Sequence, residues 1–383
     1  MSNSSAKSGA ITSHKFMFKK YPVASAFLLL LIILVIFDLS LGTMIPKTWD
    51  CREQSNYYHH GLTKNCSGKT FWGAESNEFF TNSLGMKDKY VRDVPLSSDN
   101  YRILFLGDSF TEGVGLPYQK TFVGLMDDRL KYKGLELLNS SVVSYSPKLY
   151  YYRLRYLLEL GLKINEVVIC VDISDVQDEI QYKTFNPDAG LSKVTQINTF
   201  LRNHFYSYRT LLPYVAFELR NIFGPVESKQ TPQKNLWNSE KEYYDERDKW
   251  DHDPVIYEKW GREGQELALK SMTLLADLCK TNRLKFSIVI YPWPSLVFRV
   301  NLSSRYVSLW ESFARSQNIP FINLIPLFLN EETALSIKKN FIPGDVHFSE
   351  DGHKKVAECL ETLILERFQK LQNSLDQDFA NVR

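Results

Sequence analysis

Arg102-Ile-Leu-Phe-Leu-Gly-Asp-Ser-Phe-Thr-Glu-Gly113 is the stretch on which the reading turns. Its first five residues are a short, nearly all-apolar run of strand length that stops at Gly107. Such a run is buried on both faces, the habit of a strand inside a parallel sheet. Gly107 to Gly113 then form a glycine-flanked polar turn. A serine placed directly after a strand sits at its carboxyl end, where open α/β sheets carry their chemistry. Ser109 is therefore the candidate nucleophile. It needs exposure, a neighbouring general base, and backbone N–H groups aimed at a developing oxyanion.

Outward from this stretch the chain alternates strands and helices. Apolar runs predict further strands over Leu135–Leu138, Glu166–Val171, Lys285–Tyr291 and Pro320–Leu324. Helical spacing covers Lys120–Tyr132, Leu149–Leu160, Gln265–Cys279, Tyr306–Ser316 and Gly352–Leu371. The alternation implies an α/β fold, a three-layer α/β/α sandwich around a five-stranded parallel sheet. Residues 176–263 interrupt it and read as an insertion or lid, with Trp237, Trp250, Trp260 and many tyrosines. Trp250 and Trp260 are candidate substrate-binding residues, as a stacking platform for sugar rings. Packing within the lid is the other reading.

The base candidate lies near the far end of the chain, in Gly344-Asp-Val-His-Phe-Ser-Glu-Asp-Gly-His353. His347 can take the Ser109 proton, and Asp345 can hold the imidazole in the required tautomer. His353 falls in the closing helix and reads as a packing or capping residue. His59 and His60 precede the domain and read as solvated loop histidines; bordering the cleft is the other reading. Asp108 reads as a local backbone acceptor. Asn65, Asn139 and Asn301 match glycosylation acceptors and are given no function.

The Leu106–Gly115 block resembles the first motif of the SGNH/GDSL hydrolase superfamily, with Ser109 on its nucleophile. Asn139-Ser-Ser-Val-Val-Ser-Tyr-Ser146 resembles the second, with Ser144 where the family has an oxyanion-donating glycine. Val171-Asp-Ile-Ser-Asp175 resembles the third, with Ser174 where the family has asparagine. Asp345 and His347 resemble the last block. Their Asp-x-His spacing, in place of Asp-x-x-His, is similar to the branch that moves acetyl groups onto exported polysaccharides. The resemblance covers roughly residues 100–370 without the insertion. It implies a flavodoxin-like fold, acyl-ester chemistry at Ser109, His347 and Asp345, and oxyanion donors at Ser144 and Ser174. No metal or organic cofactor is implied. The substrate would be an acylated carbohydrate or another ester. A non-catalytic glycan-binding or assembly protein on the same fold is the alternative class.

Val23 to Phe37 carries no charge, and the stretch to Ile45 is 23 residues long. At about 1.5 Å per residue it reaches roughly 34 Å, enough to span a bilayer. Lys15, Lys19 and Lys20 precede it, so the positive-inside rule puts residues 1–21 in the cytoplasm and the rest outside. The run is longer than a usual signal core, so an uncut anchor over 22–45 is preferred to a signal cut near Ser40-Leu-Gly42. Residues 46–99 read as linker and pre-domain segment, 100–372 as the hydrolase-like domain, and 373–383 as a tail. Together these place the domain in the periplasm or another extracytoplasmic space, on the inner membrane.

Composition agrees with this placement. The net charge is +2, and the first 21 residues hold four lysines and no acid. Without them 42 basic groups face 44 acidic ones, so no basic surplus remains to neutralise nucleic-acid phosphates. Cys51 and Cys66 flank a short loop, where an oxidising compartment would permit a disulfide; two free thiols are the other reading. Cys170, Cys279 and Cys359 lie in apolar or helical patterns and read as small hydrophobes. The topology has a direct check. Alkaline phosphatase fused after Arg383 should be active, and a reporter that works only in the cytoplasm should be silent there.

Overall fold

The computed structural model describes residues 21–44, 51–72, 75–189, 193–212, 215, 246–299 and 304–381. The N-terminal lysines, Trp237 and Asn301 lie outside the described residues. The chain divides into two compact units, residues 1–46 with 191–230, and residues 47–190 with 231–383.

The larger unit is built on one mixed sheet. Its strands are β3 (Ser67–Trp72), β4 (Glu75–Thr81), β5 (Lys87–Asp88), β6 (Tyr101–Gly107), β7 (Leu135–Asn139), β8 (Glu166–Val171), β9 (Lys285–Ile290) and β10 (Phe321–Asn323). They lie in the order β10-β9-β8-β6-β7-β5-β4-β3. The five from β6 to β10 are parallel, as the apolar runs predict. Their order is the flavodoxin-like arrangement, in which the chain leaves the first strand to one side and returns to the other. Leu104 faces Leu138 on one side and Val167 on the other, and all three are buried.

Right-handed crossovers to opposite sides place their helices on opposite faces of the sheet. On one face α3 (Phe122–Leu130) packs with the closing helix α11 (Glu350–Asn381). On the other, α4 (Pro147–Glu159) and α5 (Asp175–Gln181) pack with α7 (Arg262–Thr281). Further helices of this unit include α2 (Ser109–Glu112), α8 (Pro294–Arg299), α9 (Arg305–Gln317) and α10 (Thr333–Asn340).

Residues 46–99 are more than a linker. A hairpin of β1 (Arg52–Ser55) and β2 (His59–Leu62) is joined by the Cys51–Cys66 disulfide to the start of β3. The antiparallel strands β3, β4 and β5 extend the parallel sheet beyond β7. Sequences such as Ser-Gly-Lys-Thr-Phe-Trp and Glu-Ser-Asn-Glu-Phe-Phe-Thr mix polar and apolar residues, which is why their pattern gave no strand signal.

The smaller unit holds α1 (Pro22–Met44), long and apolar enough to cross a membrane, and α6 (Lys193–His204) beside it. The 176–263 insertion is therefore not one lid. Its ends, including α5 and the turn Glu246–Asp251, belong to the larger unit, and part of its middle packs with α1.

Trp250 does not present a sugar platform. Its side chain is fully buried, and its indole N–H donates to the Ile173 carbonyl at 2.8 Å. Trp260 is half-buried against the core. An aromatic ring sealed on both faces cannot stack on a substrate; Trp250 packs in the core of the larger unit. Trp250→Ala should lower unfolding free energy by about 3–5 kcal/mol, read from urea denaturation, through the cavity it leaves.

Candidate active site

Residues distant in sequence meet at the carboxyl edge of the parallel strands. Ser109 opens α2 immediately after β6, with Asp108 as its N-cap, accepting from the Phe110 N–H at 3.0 Å. The turn closes on Gly113 at φ +75°. Gly107 is required by space: a Cβ there would come 2.3 Å from the Thr111 hydroxyl.

His347, 238 residues downstream, brings Nε2 to 2.8 Å from Ser109 Oγ. Its Nδ1 lies 2.5 Å from Asp345 Oδ1. The short Asp-x-His spacing works because the loop turns tightly. Gly344 takes φ +75°, Asp345 Oδ1 also accepts from the His347 N–H at 3.1 Å, and Ile342 N–H donates to the His347 carbonyl. Burial opposes the charge on Asp345. The hydrogen bonds and charge of His347, and a donor from Trp72, outweigh it and hold the carboxyl below its usual range.

That Trp72 donor has no signal in the sequence. Its indole N–H meets Asp345 Oδ2 at 2.5 Å, and its ring stands edge-on to His347 at 4.9 Å. Phe110 supports the imidazole from another side, at 4.7 Å. Trp72 is delivered by β3, a strand that only tertiary pairing reveals.

The two proposed oxyanion positions differ. Ser144 lines the site and adopts φ +59°, a left-handed conformation that favours glycine. The N–H groups of Val142, Val143 and Tyr145 are all hydrogen-bonded, to Gly107, Glu112 and Val142. The Ser144 N–H makes no hydrogen bond among the described residues and stays available to a ligand. Ser174 is corrected: its hydroxyl donates to Asp172 Oδ1 at 2.6 Å, its N–H does so at 2.8 Å, and it does not line the cavity. A short serine side chain finds a buried carboxylate nearer than the cleft.

His60 is no solvated loop residue. Its Nε2 donates to the Val143 carbonyl at 2.9 Å, and its own carbonyl accepts from Tyr145 at 2.6 Å. Burial pushes its pKa down to about 4, so it stays neutral. His59 Nδ1 meets His60 Nδ1 at 2.8 Å. His353 is fully buried, accepts from the Phe122 N–H at 3.1 Å, and is pushed down by burial to about 3. Asn139, also buried, donates to the Thr111 carbonyl.

The cavity over Ser109 holds about 270 Å³ and is walled by Trp72, Val143, Ser144, Asp178 and Arg247 with the triad. The insertion thus contributes Asp178 and Arg247 to the cavity, in place of its tryptophans. Below it, Asp108, Asp172 and Asp175 bring carboxylate oxygens within 4.8 Å of one another. Each already takes a donor, from Tyr291, Trp293 and Tyr150 respectively. Burial first, then mutual repulsion, raises Asp108 and Asp175, and burial raises Asp172. This is the one group among the described residues close enough to surround a cation.

No family model matches the chain, and no curated protein matches it. Among solved structures it is similar to a lipolytic protein of the G-D-S-L family from Veillonella parvula DSM 2008, at 14% identity over 69% of this chain and 96% of that one, with a TM-score of 0.37. It is similar to a GDSL-like lipase from Bacteroides thetaiotaomicron VPI-5482, at 14% identity over 73% and 93%, with a TM-score of 0.37. A two-domain esterase active on acetylated mannans matches at 11% identity over 70% of this chain and 49% of that one, TM-score 0.37.

Asp178 provides a pH test of the cavity wall. Burial raises its pKa to about 7, against the pull of Arg247, while its unfolded carboxyl releases a proton near 4. The native state therefore binds more protons across about pH 4–7, and this group's contribution to stability falls as pH rises through that window. Asp178→Asn should leave urea stability at pH 4 nearly unchanged and raise it at pH 8, by roughly 4 kcal/mol.

Proposed function

We propose that the chain is a membrane-anchored, extracytoplasmic serine hydrolase of the SGNH/GDSL type that cleaves acyl esters. The observation that carries this reading is the unbroken relay from Ser109 Oγ through His347 to Asp345, at 2.8 Å and 2.5 Å. Ser109 Oγ attacks the acyl carbon while His347 Nε2 takes its proton. Asp345 stabilises the imidazolium, and Trp72 holds Asp345 in place. The Ser109 N–H, at the first turn of α2, and the Ser144 N–H supply the oxyanion donors. His347 then protonates the leaving alkoxide, and water attacks the acyl-enzyme with His347 as base.

The cavity volume favours a small acyl group, because drug-sized ligands occupy about 300–1,000 Å³. Polar walls at Asp178 and Arg247 suit a hydroxyl-bearing alcohol, so the substrate we favour is an O-acetyl group on a cell-envelope or exported glycan. The Asp-x-His spacing favours a second reading with the same triad, in which a sugar hydroxyl replaces water and the enzyme is an O-acyltransferase. The anchor reading over Pro22–Met44 rests on its length, its apolarity and the lysines before it.

A fluorophosphonate probe should label the full-length chain at Ser109. Ser109→Ala and His347→Ala should each lower kcat on p-nitrophenyl acetate at least 1,000-fold without changing thermal unfolding. Asp345→Asn should cost less than either, since positioning survives in part. An unlabelled Ser109, or full activity in His347→Ala, would overturn the serine mechanism.

A further inference from the structure

Asp38 is an acid near the end of an otherwise apolar helix, and it has a built partner. The Ser207 N–H and hydroxyl donate to its two oxygens, at 2.8 Å and 2.7 Å. One turn further on, Arg209 donates to the Gly42 carbonyl at 3.3 Å. Gly42 is where the backbones come closest: a Cβ there would lie 2.0 Å from the His204 carbonyl oxygen. The turn Ser207–Leu211 is tied back to α6 by Tyr208, which donates to Asn198. These contacts fix α6 and the residues after it beside the C-terminal end of α1.

The same segment exposes a row of large apolar side chains. Val194, Ile197 and Phe200 follow one another at intervals of three along α6, and Leu211, Leu212 and Val215, further along the segment, are exposed as well. All six are between 43% and 71% exposed. Soluble surfaces rarely leave so many large apolar side chains of one short segment in water. Its position indicates what covers it. About 20 residues fill the hydrocarbon core, so counting from Val23 places Asp38 to Gly42 at the outer boundary of the bilayer. An amphipathic helix held at that height meets the headgroup and upper acyl region, where interfacial helices bury their apolar faces.

We propose that Lys193–Leu212, with Val215, is an interfacial lipid-binding element, seated on the outer end of the anchor through Asp38, Gly42 and Ser207. The apolar row enters the outer leaflet beside α1, so the chain meets the membrane through two elements. This rests on the anchor reading of α1. It also gives the anchor a lasting structural partner, which a signal removed after export would lack.

The test uses the full chain reconstituted in phosphatidylcholine vesicles, with an environment-sensitive NBD label on Ile197→Cys or, separately, Phe200→Cys. Cys170 and Cys279 are buried, and label on the partly buried Cys359 is subtracted with the chain lacking the added cysteine. Expected is blue-shifted emission that lipids carrying a nitroxide near the headgroup quench at least threefold more than a water-soluble quencher does. Emission quenched mainly from water overturns the proposal, and so does a blue shift without lipid quenching, which marks packing against protein. Alkaline carbonate extraction separates the two readings. A chain that resists extraction but keeps its label in water refutes only the interfacial element. A chain that is extracted refutes the anchor and this element together.

Discussion

Glu112 is a carboxylate with 1% of its surface exposed, and much of the site is arranged around keeping it charged. Burial works against that charge. The Arg52 guanidinium, at 2.6 Å and 3.0 Å, with Lys87 and the Val143 N–H, outweighs burial and holds the carboxyl below its usual range. An unpaired charge in such a place costs about 3–5 kcal/mol, so the partners are not optional. Three separate pieces of chain are thereby joined: the hairpin β1–β2, the turn that carries Ser109, and the loop that carries Ser144.

The hairpin grips the Ser144 loop a second time through His60 and the Val143 carbonyl. With Val143 held at both its N–H and its carbonyl, the next peptide keeps its N–H turned away from other partners. A serine forced to φ +59° stores strain, and such strain persists only where surrounding contacts over-determine the backbone. Lys87 completes the support. Its ammonium donates to the Gly113 and Leu116 carbonyls, and burial lowers its pKa to about 8. Residues that precede the alternating fold thus brace the turn that carries Ser109.

Much of the parallel sheet was legible in the sequence because strands buried on both faces are short apolar runs, and runs can be read locally. Ser109, His347 and Asp345 were legible as candidates because glycine-flanked turns at a strand end and before the last helix are uncommon places for such residues. The structure brings those three together. Ser174 and Trp250 misled for one reason. A sequence position gives residue type but not direction, and a nearby buried acceptor captured each side chain, Asp172 for Ser174 and the Ile173 carbonyl for Trp250.

By itself the sequence determined the α/β alternation, the apolar length of Pro22–Met44 and the residue types available for acyl chemistry. These depend on periodicity and on composition over a few neighbouring residues. Only the tertiary structure decided that Trp72 braces Asp345, that Asp178 and Arg247 wall the cavity, that β3 to β5 extend the sheet, and that Asp38 binds Ser207. Each of those contacts joins residues far apart in the chain. Long-range contacts follow from where the packed sheet and helices place chain segments, and no local pattern of residues encodes that placement.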